Sequence, residues 1–248
     1  MTIGKIVHKL ATCTSTNDVA RVFAEDGFEE GMVVLADSQQ AGRGTKGRNW
    51  FSPPGKGLYL SVILRPEGGA VALIPLVAGL ALREAIGHAT GLQADLKWPN
   101  DLTWQGRKLG GILCESSWSG PHFNYVILGM GLNVDHRSKD FPADLKKTAV
   151  SLRLALGRTP DKDALLAVLY PALNRWYDVL RDGRSEKIVR AAEEALRLRP
   201  GDDVTLETAA GPVAGAFKGL RPDGCLRLES GGREVRFPPS DVLAINAG

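Results

Sequence analysis

The chain has 248 residues, 31 Lys and Arg against 28 Asp and Glu for a formal net charge of +3, and 44% hydrophobic residues. This composition excludes a disordered or fibrous chain, and so small a positive excess argues against holding nucleic acid through the overall field. The three cysteines, Cys13, Cys114 and Cys225, stand far apart with no Cys-x-x-Cys pair and no histidine at ligand spacing, which predicts reduced thiols and no structural metal.

In chain order, residues 5–11 alternate as a strand. Ser15-Thr16-Asn17-Asp18 then opens a helix over 16–26 as a Ser-x-x-Asp capping-box-like start, ahead of Val19, Val22 and Phe23. Strand-like runs follow at 32–37 and 58–64, a helix at 71–89, and strands at 93–97, 109–115 and 123–130. That order predicts a mixed α+β sheet domain. Between 132 and 200 the only glycines are Gly157 and Gly183. There Thr159 as N-cap and Pro160 at the first helical position begin a helix in which Leu166, Leu169, Leu173, Trp176 and Leu180 recur at steps of three and four. Beyond Pro200-Gly201 the composition changes, with eight glycines in 201–248. Short alternating runs at 204–207, 225–228 and 234–237 predict a small antiparallel barrel, so the domains expected are 1–199 and 200–248. No run reaches the roughly 18 apolar residues of a membrane span, and the N-terminus lacks a signal-peptide core. The expectation is a cytoplasmic protein with no membrane partner.

Three segments carry chemistry. The first runs from Gln39-Gln40-Ala41-Gly42-Arg43-Gly44-Thr45-Lys46-Gly47-Arg48-Asn49-Trp50 to Gly57. From Ser38 to Pro66 there are five basic residues and no acidic one. Glycines let a backbone close around an anion, and arginines fork onto phosphate or carboxylate oxygens. The loop is not a Walker P-loop, since Gly47 is followed by Arg48 rather than Lys-Ser or Lys-Thr. The second, Lys97-Trp98-Pro99-Asn100-Asp101 through Lys108-Leu109-Gly110-Gly111, puts an ammonium and a carboxylate at a strand tip, with Lys108 beyond a Gln105-Gly106 turn. The third, Gly129-Met130-Gly131-Leu132-Asn133, clears one strand face for a ligand or a neighbouring group.

In this order the segments, with Ser15-Thr16-Asn17 before them, closely resemble the biotin protein ligases. The resemblance is strong over about 5–135 and weaker to the end. It implies a class II synthetase-like sheet with helices on one face and a small C-terminal SH3-like barrel. It also implies an ATP-dependent reaction in which biotin, as substrate, forms biotinyl-5′-AMP and is passed to a lysine of a biotin carboxyl carrier protein. Magnesium would enter with ATP, and no metal site of the protein's own is expected. Carried over by position, Ser15, Thr16 and Asn17 bind the ureido ring with Gln39 or Gln40. Gly42, Arg43, Gly44 and Thr45 close over biotin and the adenylate, Arg48 meets phosphate, and Lys97 holds the biotin carboxylate and α-phosphate. Trp50 lies against adenine, Gly111 borders the cleft, Asn133 contacts the nucleotide, and Lys108 and Asp101 assist at phosphate and Mg²⁺.

The chain departs from the family's G-R-G-R-x-G-R loop at Thr45, which leaves Lys46 as the neighbouring cation expected to substitute in part. The catalytic strand begins by Lys5, so no N-terminal DNA-binding domain and no nucleic-acid partner are expected. The exposed sheet edges of this fold invite strand pairing with a second copy, as a homodimer, or with the acceptor. Two other readings remain: a lipoate or octanoate ligase or transferase of the same fold, and a nucleic-acid-binding module using the basic 43–65 stretch. Against the second, residues 201–248 hold five basic and seven acidic residues.

Overall fold

Two β-sheets organise the chain. The computed structural model describes residues 2–66 and 70–247. The first sheet contains β1 (Val7–Cys13), β2 (Val33–Gln39), β3 (Gly57–Leu64), β4 (Asp95–Lys97), β5 (Asp101–Trp104), β6 (Arg107–Ser119) and β7 (His122–Asn133), in the order β1-β2-β3-β7-β6-β5-β4. The β1–β2 pair is parallel and the other neighbours are antiparallel. The helices are α1 (Thr16–Glu25), α2 (Ile74–Thr90), α3 (Leu152–Leu156), α4 (Lys162–Arg181) and α5 (Ser185–Ala195).

The central strands are apolar on both faces, so both faces need cover. β3 is buried at every position. Leu58, Leu60, Val62 and Leu64 join the large core with α2, α4 and α5, while Ile63 packs with Ala20 and Ala24 of α1 and with Tyr125 and Ile127 of β7. The expected arrangement with helices on one face is therefore corrected: α1 lies on the face opposite α2, α4 and α5. That placement brings the head of α1 over the two glycines of β7.

Three local expectations also change. Ser15 has the extended backbone of an N-cap but makes no side-chain cap bond, and the Asp18 carboxylate accepts from Arg43. The α4 cap is Asp161 rather than Thr159: its carboxylate accepts from the N–H groups of Asp163 (2.9 Å) and Ala164 (3.3 Å), while the Thr159 hydroxyl donates to Asp135 (3.0 Å). The segment Val71–Thr90 is long and apolar enough by composition to cross a membrane. Here it is a core helix, with ten residues of α2 buried.

The second sheet contains β8 (Asp203–Thr208), β9 (Gly211–Leu220), β10 (Leu226–Ser230), β11 (Arg233–Phe237) and β12 (Val242–Ala247), in the order β11-β10-β9-β8-β12. All its pairs are antiparallel. Among the described residues β11 and β12 do not pair with each other, so the sheet is open and does not by itself form the small antiparallel barrel that was expected. Val204, Leu206, Phe217, Leu226 and Leu228 extend the large core. The indole N–H of Trp98, in the turn between β4 and β5, donates to Gly224 O (3.0 Å). The tip of the first sheet is thus fastened to the second.

Candidate active site

Strands β6 and β7, the head of α1 and the segment after β2 line an open cleft. Gly129 and Gly131 share one face of β7. A Cβ at Gly129 would lie 2.3 Å from Asn17 Oδ1, and one at Gly131 would lie 2.4 Å from the Trp50 ring. The bare positions thus admit an amide and an indole from this chain.

Asn17 is 4% exposed. The Ser61 hydroxyl donates to its Oδ1 (2.6 Å), and its Nδ2 donates to Glu115 (2.6 Å). Gln39 Oε1 accepts from the backbone N–H (2.9 Å) and hydroxyl (3.2 Å) of Thr16, while Gln39 Nε2 donates to Ser52 (2.8 Å). Ser15, buried beside them, keeps a hydroxyl that caps nothing. Ser15, Thr16, Asn17 and Gln39 therefore form a neutral end of one pocket, with donors and acceptors oriented by protein partners, while Arg43, Asp101 and Lys108 also line it. Gln40 is not brought in: it follows the end of β2, its side chain is exposed, and its N–H is held by Cys13 O (2.9 Å).

The glycine-rich loop crosses this pocket. Gly42 is packed so closely that a Cβ would lie 2.7 Å from both Ser52 Oγ and Trp50 O, and the Trp50 N–H donates to Gly42 O (2.8 Å). Gly44 N–H donates to Arg48 O (2.7 Å), and the Arg48 guanidinium folds back on Thr45, reaching its hydroxyl (2.9 Å) and its carbonyl (3.2 Å). Lys46 has a left-handed backbone, φ 60°. Its ammonium donates to the carbonyl of Val242 in β12. Lys46 thus points toward the second sheet and does not line the pocket beside Arg43 and Gly44.

Beyond Trp50 lies an open cavity rimmed by Arg48, Lys97, Lys108 and Lys147, with Asp101 and Asn133 in its wall. Trp50 packs over Gly111 and Gly131, its indole N–H buried without a partner, and Lys108 Nζ lies 5.5 Å from its ring. Lys108 pairs with Asp101 at 2.7 Å. Asp101 thus spends its charge on Lys108 rather than on Lys97, its register partner across β4 and β5. Lys97 is exposed and lines this cavity and a neighbouring one of about 920 Å³ that Lys46 and β12 also line. It does not line the neutral pocket. Asn133 is buried, and its Nδ2 donates to Val150 O (3.0 Å), which leaves its carbonyl oxygen for another donor.

Two carboxylates missing from the sequence-predicted set belong to the site. Asp18 accepts from both terminal nitrogens of Arg43 (2.9 and 2.8 Å), and Glu115 accepts from Arg43 Nη2 (3.1 Å). The hydrogen bonds from Arg43 hold the Asp18 carboxyl below the usual carboxylate range, and the same contacts raise Arg43 above the usual guanidinium value. Asp18 was visible in sequence only as part of a helix start, and Glu115 only as the end of an apolar strand. Burial and the nearby Glu115 push the Cys114 thiol up to about 12, which disfavours a thiolate there.

The model of the biotin/lipoate A/B protein ligase family matches residues 10–133. The chain is 38% identical to the biotin–[acetyl-CoA-carboxylase] ligase of Paracoccus denitrificans over 240 residues, covering 94% of this chain and 98% of that protein. It is 34% identical over 220 residues to the bifunctional ligase/repressor BirA of Bacillus spizizenii, covering 88% of this chain and 67% of that protein. The structure of the biotin protein ligase from Aquifex aeolicus in complex with biotin and ATP superposes with a TM-score of 0.86 at 27% identity, covering 98% of this chain and all of that one. With a neutral pocket joined to a cation-rimmed cavity and these similarities along nearly its whole length, the chain belongs to the biotin/lipoate A/B protein ligase family.

Proposed function

We propose that the protein is an ATP-dependent biotin protein ligase. One observation carries this reading: a pocket with fixed neutral amides and hydroxyls of Ser15, Thr16, Asn17 and Gln39 at one end, and Arg43, Asp101 and Lys108 also in its wall, lies beside a cavity that Arg48, Lys97, Lys108 and Lys147 rim beyond Trp50. A uncharged polar ring fits the first, and a polyphosphate fits the second. In the first step an oxygen of the biotin carboxylate attacks the α-phosphorus of ATP, and the bond to pyrophosphate breaks. In the second an acceptor lysine amine, having lost its proton, attacks the acyl carbon of biotinyl-5′-AMP and AMP leaves. No covalent enzyme intermediate is needed, so the protein's work is positioning and charge compensation.

In this reading Ser15, Thr16, Asn17 and Gln39 bind the ureido ring. Lys97 holds the biotin carboxylate and α-phosphate oxygens from the wall of the cavity beyond Trp50. Arg48 and Lys108 meet phosphate, Trp50 lies against adenine, and the free oxygen of Asn133 contacts the nucleotide. Magnesium is bound to ATP as part of that substrate. Among the described residues no three His, Cys, Asp or Glu side chains are grouped to hold a metal ion. The acceptor is the biotin carboxyl carrier protein or domain of a carboxylase. We assign residues 1–199 to the catalytic domain and 200–248 to a C-terminal domain of SH3-like type, supported by the antiparallel sheet that starts at Asp203.

The test is pyrophosphate release from Mg-ATP in the absence of acceptor. Release that requires biotin and is not supported by lipoate or octanoate agrees with the proposal; release with lipoate or octanoate instead assigns the related acyl specificity.

A further inference from the structure

Arg43 is already engaged by two carboxylates. Both its terminal nitrogens are engaged by Asp18, and Nη2 also reaches Glu115. Asp18 additionally pairs with Arg21 (2.6 Å), so two carboxylates and two guanidinium groups form a closed, charge-balanced cluster. The three elements it joins are separate in sequence: Asp18 sits in the first turn of α1, Glu115 in β6, and Arg43 in the loop over the neutral pocket. Glu115 does a second job, because its Oε2 accepts from Asn17 Nδ2 (2.6 Å). With Ser61 donating to Asn17 Oδ1, this bond determines which end of the Asn17 amide faces which way.

We infer that Asp18 and Glu115 are positioning residues of the acyl pocket: they hold Arg43 as a latch that fastens the 42–50 loop across it, and Arg43 acts through this closure rather than as a phosphate ligand. The inference rests on the biotin-ligase reading for the identity of the acyl substrate, but the latch itself is a property of the protein without substrate. Releasing any member frees the loop and lets the acid pass in and out more readily. Phosphate compensation stays with Lys97, Lys108 and Arg48.

The test compares Asp18→Asn, Glu115→Gln, Arg43→Gln and the Asp18→Asn/Arg43→Gln double variant in the full chain. Tryptic cleavage after Arg48 in protein without ligands reads the loop directly. It should accelerate about tenfold in Asp18→Asn and in Arg43→Gln, the scale of a lost charge-assisted hydrogen bond, with no further gain in the double variant. In biotin-dependent pyrophosphate release the same variants should raise the KM for biotin by about that factor and lower kcat by a smaller one. Glu115→Gln, which keeps a hydrogen-bond acceptor for Asn17, gives the milder form of both effects, and its partly exposed side chain makes it the variant to use if Asp18→Asn fails to fold. Additive cleavage effects, or unchanged cleavage with a collapse of kcat confined to Arg43→Gln, would overturn the latch. A wild-type protein that releases no pyrophosphate with biotin would instead overturn the ligase reading and leave the cleavage result to judge the latch alone.

Discussion

Gly129 and Gly131 work through the volume they leave free, and their neighbours differ. A methyl group at Gly129 collides with Asn17, and one at Gly131 collides with Trp50. Gly129→Ala should therefore weaken biotin binding, and Gly131→Ala should weaken ATP binding, each by about tenfold or more, because an overpacked site must shift a side chain that touches ligand. Calorimetric titration of each variant with biotin and with ATP checks this, and equal losses for both ligands would contradict the split. At Thr45 the side chain receives Arg48, and the neighbouring Lys46 is directed to Val242. Thr45→Arg should slow the escape of biotinyl-5′-AMP measured by single-turnover quench; equal escape rates remove that idea. Most of the residues that line the site were legible from motif spacing because their loops are local. Asp18 and Glu115 were not, because their partner Arg43 lies 25 and 72 residues away and only the fold brings them together.

At the scale of elements, the turn after β7 contains a histidine with an unusual environment. His136 is fully buried, stacked 4.7 Å from Phe141, and neither ring nitrogen has a partner. Burial pushes its pKa down to about 4; Asp140 and Asp135 oppose this, and Lys56 and Lys162 add to it. The folded protein thus keeps this ring neutral while the unfolded chain takes a proton near the ordinary value. Its contribution is whole above about pH 6.5 and is lost as pH falls toward 4, with a limit of about 3 kcal/mol. His136→Phe should flatten the loss of thermal stability between pH 7 and 4.5, and parallel curves for the two proteins would contradict this. Lys97 ends a three-residue strand held between β5 and the cavity mouth. Lys97→Ala should lower adenylation by about 10² to 10³, the effect of removing one preorganised donor; an unchanged pyrophosphate rate would remove its role. Strands with strong alternation and helices with clear stripes were readable here. β9 and β12 were not, because glycine, alanine and proline dilute their pattern, and only pairing with β8 and β10 identifies them as strands.

For the whole molecule, the near-neutral total charge conceals an uneven distribution. Arg48, Lys97, Lys108 and Lys147 gather around the cavity beyond Trp50, while the amides and hydroxyls of Ser15, Thr16, Asn17 and Gln39 line one end of the pocket before it. The second sheet contributes through contacts that composition does not reveal: Lys46 reaches Val242, and Trp98 reaches Gly224. Lys46→Ala should loosen the tie between the loop and β12, seen as faster amide exchange over 44–48 with little change in the core strands; unchanged exchange would make that contact incidental. The most direct test of the account joins both chemical steps. The protein is incubated with Mg-ATP, a biotin carboxyl carrier domain and biotin, lipoate or octanoate, and the acceptor is weighed by mass spectrometry. The account predicts one biotinyl addition on one lysine with biotin and no addition with the other acids; an acceptor unchanged by biotin and modified by lipoate or octanoate would contradict it.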